Sequence, residues 1–192
     1  MKKPIFTLIA GINGAGKSTY YKTMNVTDKE TLGIRISPDE LALEYGNLII
    51  GGKAAIKLRV KCFKEKSSCH QETTFTGKSI LKSIDEARLR GYVVNIIYIN
   101  VVTTEIAIKR VADRTRVGGH NIPTADIIRR HPESLKNLNE QIYKFDSVRL
   151  IDNTYEYTSL FEYADNDIVF IEDELPQWAD AAVTNLQKYL NG

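Results

Sequence analysis

The chain has 192 residues, 43% hydrophobic and 26% charged, with a net charge of +2 at pH 7 and two cysteines. Such a chain can bury a core of its own without metals or cross-links, so one domain over 1–192 is expected. Its charge is far from the footprint of a dedicated nucleic-acid binder, which makes nucleic acid an unfavoured partner.

Cys62 and Cys69 lack C-x-x-C spacing and are too few for a disulfide framework, so zinc and secreted cross-linked classes drop out. No apolar run approaches the roughly 18 residues of a membrane helix. The basic start leads into a short apolar run and then a glycine loop, with no cleavage site. A cytoplasmic protein without membrane attachment is expected.

In chain order, Ile5 to Ala10 reads as a buried strand, followed by a glycine loop and a helix from about Lys17. Ile34 to Ser37 reads as a short strand, and Pro38-Asp39-Glu40 suits the first turn of a helix. Helical patterning runs from Ala54 to Lys66, a strand from Ser67 to Glu72, and a helix from Gly77 to Arg90 that Gly91 ends. Tyr92 to Val102 is β-branched and apolar on both faces, as in a central parallel strand covered by helices. A helix from Thr103 to Arg114, a basic glycine-containing segment from Thr115 to Pro123, and a further helix to about Tyr143 follow. Val148–Ile151 and Asp167–Ile171 read as late strands, and Pro176 to Tyr189 as a final helix. Alternation of this kind predicts an α/β fold with a three-layer parallel sheet.

Gly11-Ile12-Asn13-Gly14-Ala15-Gly16-Lys17-Ser18 matches the pattern G-x-x-x-x-G-K-[ST] and lies between a buried strand and a helix, the context the motif requires. Gly11 and Gly16 allow a tight turn and close approach of phosphate oxygens, while Gly14 adds looseness in mid-loop. Backbone N–H groups of Asn13 through Thr19 then face an anion at a helix N-terminus. Lys17 is expected on the β- and γ-phosphates of a nucleoside triphosphate and Ser18 on Mg²⁺, so the α/β fold is expected to be of the P-loop NTPase/kinase type, with a small helical lid at about 110–131.

Ligands of such sheets lie beyond the carboxyl ends of the strands. Asp39 follows the second strand and Glu72 ends the third, so either carboxylate can take a proton from an attacking hydroxyl or orient Mg²⁺ through water. Asp39 also reads as an acid capping a helix, and Glu72 as a strand-end acid in solvent. Thr73, Thr74 and Thr76 can hold a substrate or cap the following helix. Arg110, Arg114 and Arg116 form either a lid that closes on a transferred phosphoryl group or an ordinary solvated helix face. His120 shapes the lid turn or touches a phosphate. Asn153, after a late strand, borders the nucleotide base or sits in a plain turn.

Together these residues resemble the zeta-toxin family of P-loop kinases, in particular its short stand-alone relatives. The landmarks are the glycine loop through Thr19, Ser37-Pro38-Asp39-Glu40, Glu72-Thr73-Thr74-Phe75-Thr76-Gly77 and Arg110-Val111-Ala112-Asp113-Arg114. They continue through Gly118-Gly119-His120-Asn121-Ile122-Pro123, Ile128-Arg129-Arg130 and Asp152-Asn153-Thr154. The resemblance spans about residues 4 to 155. It implies ATP-dependent phosphorylation of a small-molecule hydroxyl, in the better-known toxins that of UDP-N-acetylglucosamine. By that resemblance Asp39 is the catalytic base, Lys17 and Ser18 serve the phosphates and Mg²⁺, and Glu72 and Thr74 contact the acceptor. Arg110 and one of Arg114 or Arg116 stabilise the transferred group, and a neutralising antitoxin is a separate protein. Two other readings stay open: a nucleotide or nucleic-acid-end kinase on the same sheet, and a non-catalytic module whose nucleotide state controls a partner.

Overall fold

The computed structural model describes residues 3–119 and 121–192. Its elements are β1 (Ile5–Ala10), α1 (Lys17–Thr23), α2 (Val26–Leu32), β2 (Ile34–Ile36), α3 (Pro38–Glu44), α4 (Leu48–Glu65), β3 (Cys69–Thr73) and α5 (Lys78–Leu89). They continue as β4 (Val93–Asn100), α6 (Thr104–Arg116), α7 (Thr124–Gln141), β5 (Ser147–Asp152), β6 (Thr158–Ala164), β7 (Asp167–Ile171) and α8 (Gln177–Asn191). Seven strands form one sheet in the order β2-β3-β1-β4-β5-β6-β7.

Strand periodicity explains the layering. Phe6, Leu8 and Ala10 of β1 join a core with Phe63 of α4, Ile84 of α5, Leu138 of α7 and Leu186 of α8. Ile9, one residue out of phase, joins a second core with Ala107 and Val111 of α6 and Leu32 of α2. Alternate side chains of a strand point to opposite faces, so β1 feeds both cores and the sheet is covered on both sides. β4 does the same through Ile96 and Tyr98 on one side and Ile97 and Ile99 on the other.

The expectation of a parallel sheet holds from β2 to β5 and is corrected beyond it. β5 pairs antiparallel with β6, and β6 antiparallel with β7. The β6–β7 turn holds Asp165 and Asn166 at φ 54 and 64, a two-residue connection with both central residues left-handed, as hairpins favour. Neither β6 nor α2 was expected. No helix among the described residues is long and apolar enough to cross a membrane.

Five parallel strands, β1 to β5, deliver their C-terminal ends to one edge of the sheet. Ile9 of β1 lies level with Glu72 of β3, and Ala10 with Tyr98 of β4. That register sets the glycine loop, which leaves β1, beside the acidic end of β3.

Candidate active site

A cleft of about 1240 Å³ opens at this edge. It exceeds the range of roughly 300–1,000 Å³ for a single small-molecule site, so two ligands fit side by side. Asn13, Gly14, Gly16, Lys17, Ser18 and Thr19 line it together with Asp39, Arg59, Thr74, Thr76 and Ser79.

Gly11, Gly14 and Gly16 all have positive φ. A Cβ on Gly16 would stand 2.3 Å from Asn153 Nδ2 and 2.8 Å from the Tyr157 hydroxyl. One on Gly14 would stand 2.3 Å from the Ala107 carbonyl oxygen, so Gly14 serves close packing against α6 rather than looseness. The loop is also held from behind. Asn153 Nδ2 donates to the Ala15 carbonyl at 2.8 Å and Tyr157 Oη to that of Gly16 at 2.8 Å. Asn153 is buried, and the structure sets it behind the loop instead of beside a base.

Lys17 Nζ donates to the carbonyls of Gly11 at 2.7 Å and Ile12 at 3.0 Å. Burial lowers its pKa, against the opposing pull of the Glu72 and Asp39 carboxylates. Ser18 Oγ donates to Glu72 Oε2 at 2.6 Å, and Arg35 Nη2 lies 2.6 Å from Glu72 Oε1. Glu72 is 7% exposed, so its charge is compensated by a fixed guanidinium, as buried carboxylates require. Arg35 is itself clamped: it pairs with Glu40 at 2.7 Å and lies 3.8 Å above the Tyr21 ring, which stacks on His70. A hydroxyl donating to a buried, oriented carboxylate at the loop's serine is a fitting seat for Mg²⁺, which takes few protein ligands and keeps its waters.

Asp39 stands exposed in the first turn of α3 and faces the cleft. The N-cap itself is Ser37, whose Oγ accepts from the Glu40 amide at 3.3 Å. Asp39 is therefore not needed as the cap and makes no hydrogen bond among the described residues. Thr74 and Thr76 share a hydroxyl contact of 2.9 Å. Between them Phe75 is fully buried at φ 61, a costly conformation for a non-glycine residue. Its carbonyl accepts from Asn137 Nδ2 at 2.8 Å and its amide donates to Thr73 Oγ1 at 3.0 Å. Burying Phe75 turns both threonines toward the cleft.

The three arginines of α6 separate. Arg110 lines the cleft and donates to the carbonyls of Asn153 at 2.8 Å and Thr154 at 3.1 Å. Arg114 also lines the cleft. Arg116 is 79% exposed, paired with Asp113 at 3.1 Å and outside the cleft wall. His120 lies outside the described residues.

Sequence reasoning gave no role to two further arginines. Arg130 of α7 donates to Asn13 Oδ1 at 2.8 Å and reaches Asp126 at 3.3 Å, tying the segment after α6 to the loop. Its neighbour Arg129 also lines the cleft but pairs with Asp126 and Glu133 instead of the loop. Arg59 of α4 is buried at the far end of the cleft.

No protein-family model matches the chain. It is 31% identical over 125 residues to an uncharacterized protein of Haemophilus influenzae, a match covering 62% of this chain and 86% of the other. Among solved structures it is similar to one from the PezAT chromosomal toxin–antitoxin system of Streptococcus pneumoniae. That likeness has a TM-score of 0.62 at 17% identity over 100% of this chain and 89% of that one. The AvrRxo1-ORF1:AvrRxo1-ORF2 complex with sulphate ions gives 0.66 at 12% identity, over 97% and 76%. The same pair with ATP gives 0.66 at 13%, over 96% and 64%. Likeness at such identities is one of fold, and the fold is the zeta-toxin-like P-loop kinase fold.

Proposed function

The chain belongs to the family of the Haemophilus influenzae protein and has a zeta-toxin-like P-loop kinase fold, and from this premise we propose that it is an ATP-dependent kinase for a hydroxyl of a small molecule. The observation that carries the reading is the Ser18–Glu72 hydrogen bond of 2.6 Å inside a cleft roomy enough for two ligands. A phosphate loop alone binds nucleotide. A loop whose serine is coupled to a buried carboxylate, opposite an unencumbered acid, can also transfer a phosphoryl group.

In this reading the loop amides and Lys17 hold the nucleotide phosphates, and Lys17 exchanges the Gly11 and Ile12 carbonyls for phosphate oxygens. Ser18 and Glu72 would hold Mg²⁺, which would supply neutralisation of phosphate charge. Asp39 accepts the proton of the acceptor hydroxyl as its oxygen attacks. Thr74 and Thr76 orient that acceptor. Arg114 counters the charge spread over the transferred group, and Arg110 braces the Asn153–Thr154 turn beside it. UDP-N-acetylglucosamine is the acceptor that the family resemblance proposes. An ATP complex and a toxin–antitoxin system among the fold relatives support ATP as donor and a separate antitoxin as partner.

The test is transfer of labelled γ-phosphate from ATP·Mg²⁺ to UDP-N-acetylglucosamine, wild type beside Asp39→Asn. Phosphorylated product from wild type, reduced about 10²–10⁴-fold in kcat by the substitution, is expected for loss of a general base. Normal ATP binding with no transfer to this or any other hydroxyl acceptor would leave a nucleotide-binding module and end the kinase reading.

A further inference from the structure

Arg59 is 5% exposed, lies on the core side of α4, and forms part of the wall at the acceptor end of the cleft. A buried guanidinium normally sits against a carboxylate. This one does not: its Nη1 donates to Gln71 Oε1 at 2.8 Å and its Nη2 to Ser79 Oγ at 3.0 Å, both neutral, and its Nε is buried without a partner. Burial depresses its pKa, and the carboxylate that acts on it most, Glu86, is engaged with Arg90 at 3.0 Å. Arg35 and Arg130 each pair with an acid, and Arg110 donates to the Asn153 and Thr154 carbonyls; Arg59 is paired with no carboxylate among the described residues.

A second feature converges on the same spot. The helix α5 begins at Lys78 with Gly77 as its N-cap, no side-chain cap and no acid in its first turn. The Ile80 amide donates back to the Gly77 carbonyl at 3.1 Å, while the Lys78 and Ser79 amides that open the helix have no acceptor among the described residues, and no acid in the first turn offsets the partial positive charge of the helix end. Gly77 and Ser79 line the cleft together with Arg59. Leu48, Ala55 and Ile56, on the same helix as Arg59, add apolar surface to the cleft lining.

We propose that Arg59, Ser79 and the N-terminus of α5 form an oxyanion subsite, and that the acceptor carries a phosphate or carboxylate group which docks there. This rests on the kinase reading for the acceptor's identity, though not for the existence of the anion site. A planar guanidinium beside free backbone amides suits two oxygens of one group. Thr74 and Thr76, five and three residues before Ser79, line the same cleft as Asp39, and the hydroxyl that reacts is placed within their reach. The acceptor class is thus a small hydroxylated molecule with its own anionic group, an acid or a phosphoester, rather than a neutral sugar or alcohol.

The site can be read without turnover. The phosphate loop is first saturated with a non-hydrolysable ATP analogue and Mg²⁺, and inorganic phosphate is then titrated by calorimetry. Wild type is expected to bind one further phosphate. Gln71→Glu is nearly isosteric and gives Arg59 a built-in counter-ion; it should weaken phosphate binding at least tenfold, leave nucleotide affinity unchanged and raise the melting temperature. Arg59→Lys, which keeps the charge and loses the fork, should weaken it less. No second phosphate on wild type, or equal binding by Gln71→Glu, overturns the subsite while leaving the kinase reading standing. A carboxylate such as acetate in the same titration separates the two ligand sources: the tighter binder names the group. Loss of γ-phosphate transfer with phosphate binding intact would instead sink the kinase reading alone.

Discussion

The two ends of the cleft are built by different means. The nucleotide end is made of backbone, three glycines at positive φ with carbonyls and amides in fixed positions, and side chains from elsewhere serve to hold that backbone still. The acceptor end is made of side chains: a carboxylate on α3, hydroxyls around a strained phenylalanine, a guanidinium on α4. Backbone offers the same groups at every position, so the first end suits an invariant ligand, the triphosphate. Side chains differ from chain to chain, so the second end is where selectivity resides.

The largest effect expected from this division is at Lys17. Lys17→Ala should lower phosphoryl transfer about 10³-fold or more, measured as kcat/KM, because it removes a fixed cation from developing phosphate charge. Full turnover in that variant would break the account of the nucleotide end. Next comes Gly16→Ala. Its Cβ meets the Asn153 and Tyr157 side chains at a left-handed φ, costing about 2–4 kcal/mol of stability, and chemical denaturation would show it. A neutral result would mean the loop is not braced from behind.

Third, Arg114→Ala should slow transfer about 100-fold, whereas Arg116→Ala should stay within about twofold, because an exposed ion pair contributes little. Reversal of that order would assign the wrong arginine to the cleft. The most gradual effect is spread over the acid pH range and comes from a buried histidine. His70 is fully buried, and burial followed by the Arg35 charge pushes its pKa down to about 4. The folded-state pKa lies below the unfolded one, so the unfolded chain gains a proton first as pH falls through 6.5. Stability should therefore be flat above that pH and decline between 6.5 and 4, by up to about 3 kcal/mol. Thermal midpoints against pH would reveal the slope, and His70→Leu should remove it.

Legibility in the sequence follows the same division. The glycine loop is local, with fixed spacing, and its flanking strand and helix are strongly patterned. Glu72 and Asp39 were readable because strand ends face ligands in such sheets. Arg59 was not, since its partners Gln71 and Ser79 lie 12 and 20 residues away and nothing in helix periodicity marks a buried arginine. β6 was hidden by its register shift: Leu160 and Phe161 are both buried, which erases the alternation that identifies a strand. Signals for two overlooked features were present. Asp165-Asn166 is hairpin chemistry, and Asn25 caps α2 by accepting from the Asp28 amide at 2.8 Å.

Tyr157 and Asn153 reach the phosphate loop from the connection between β5 and β6, on the far side of the chain from the loop itself. The bracing of the phosphate loop and the approach to the C-terminal hairpin are thereby inherited together. A shortened version cut after β5 would retain the whole glycine motif yet lose the Tyr157 hydroxyl that pins Gly16. The portable unit, for anyone grafting or dissecting this cleft, runs at least through β6.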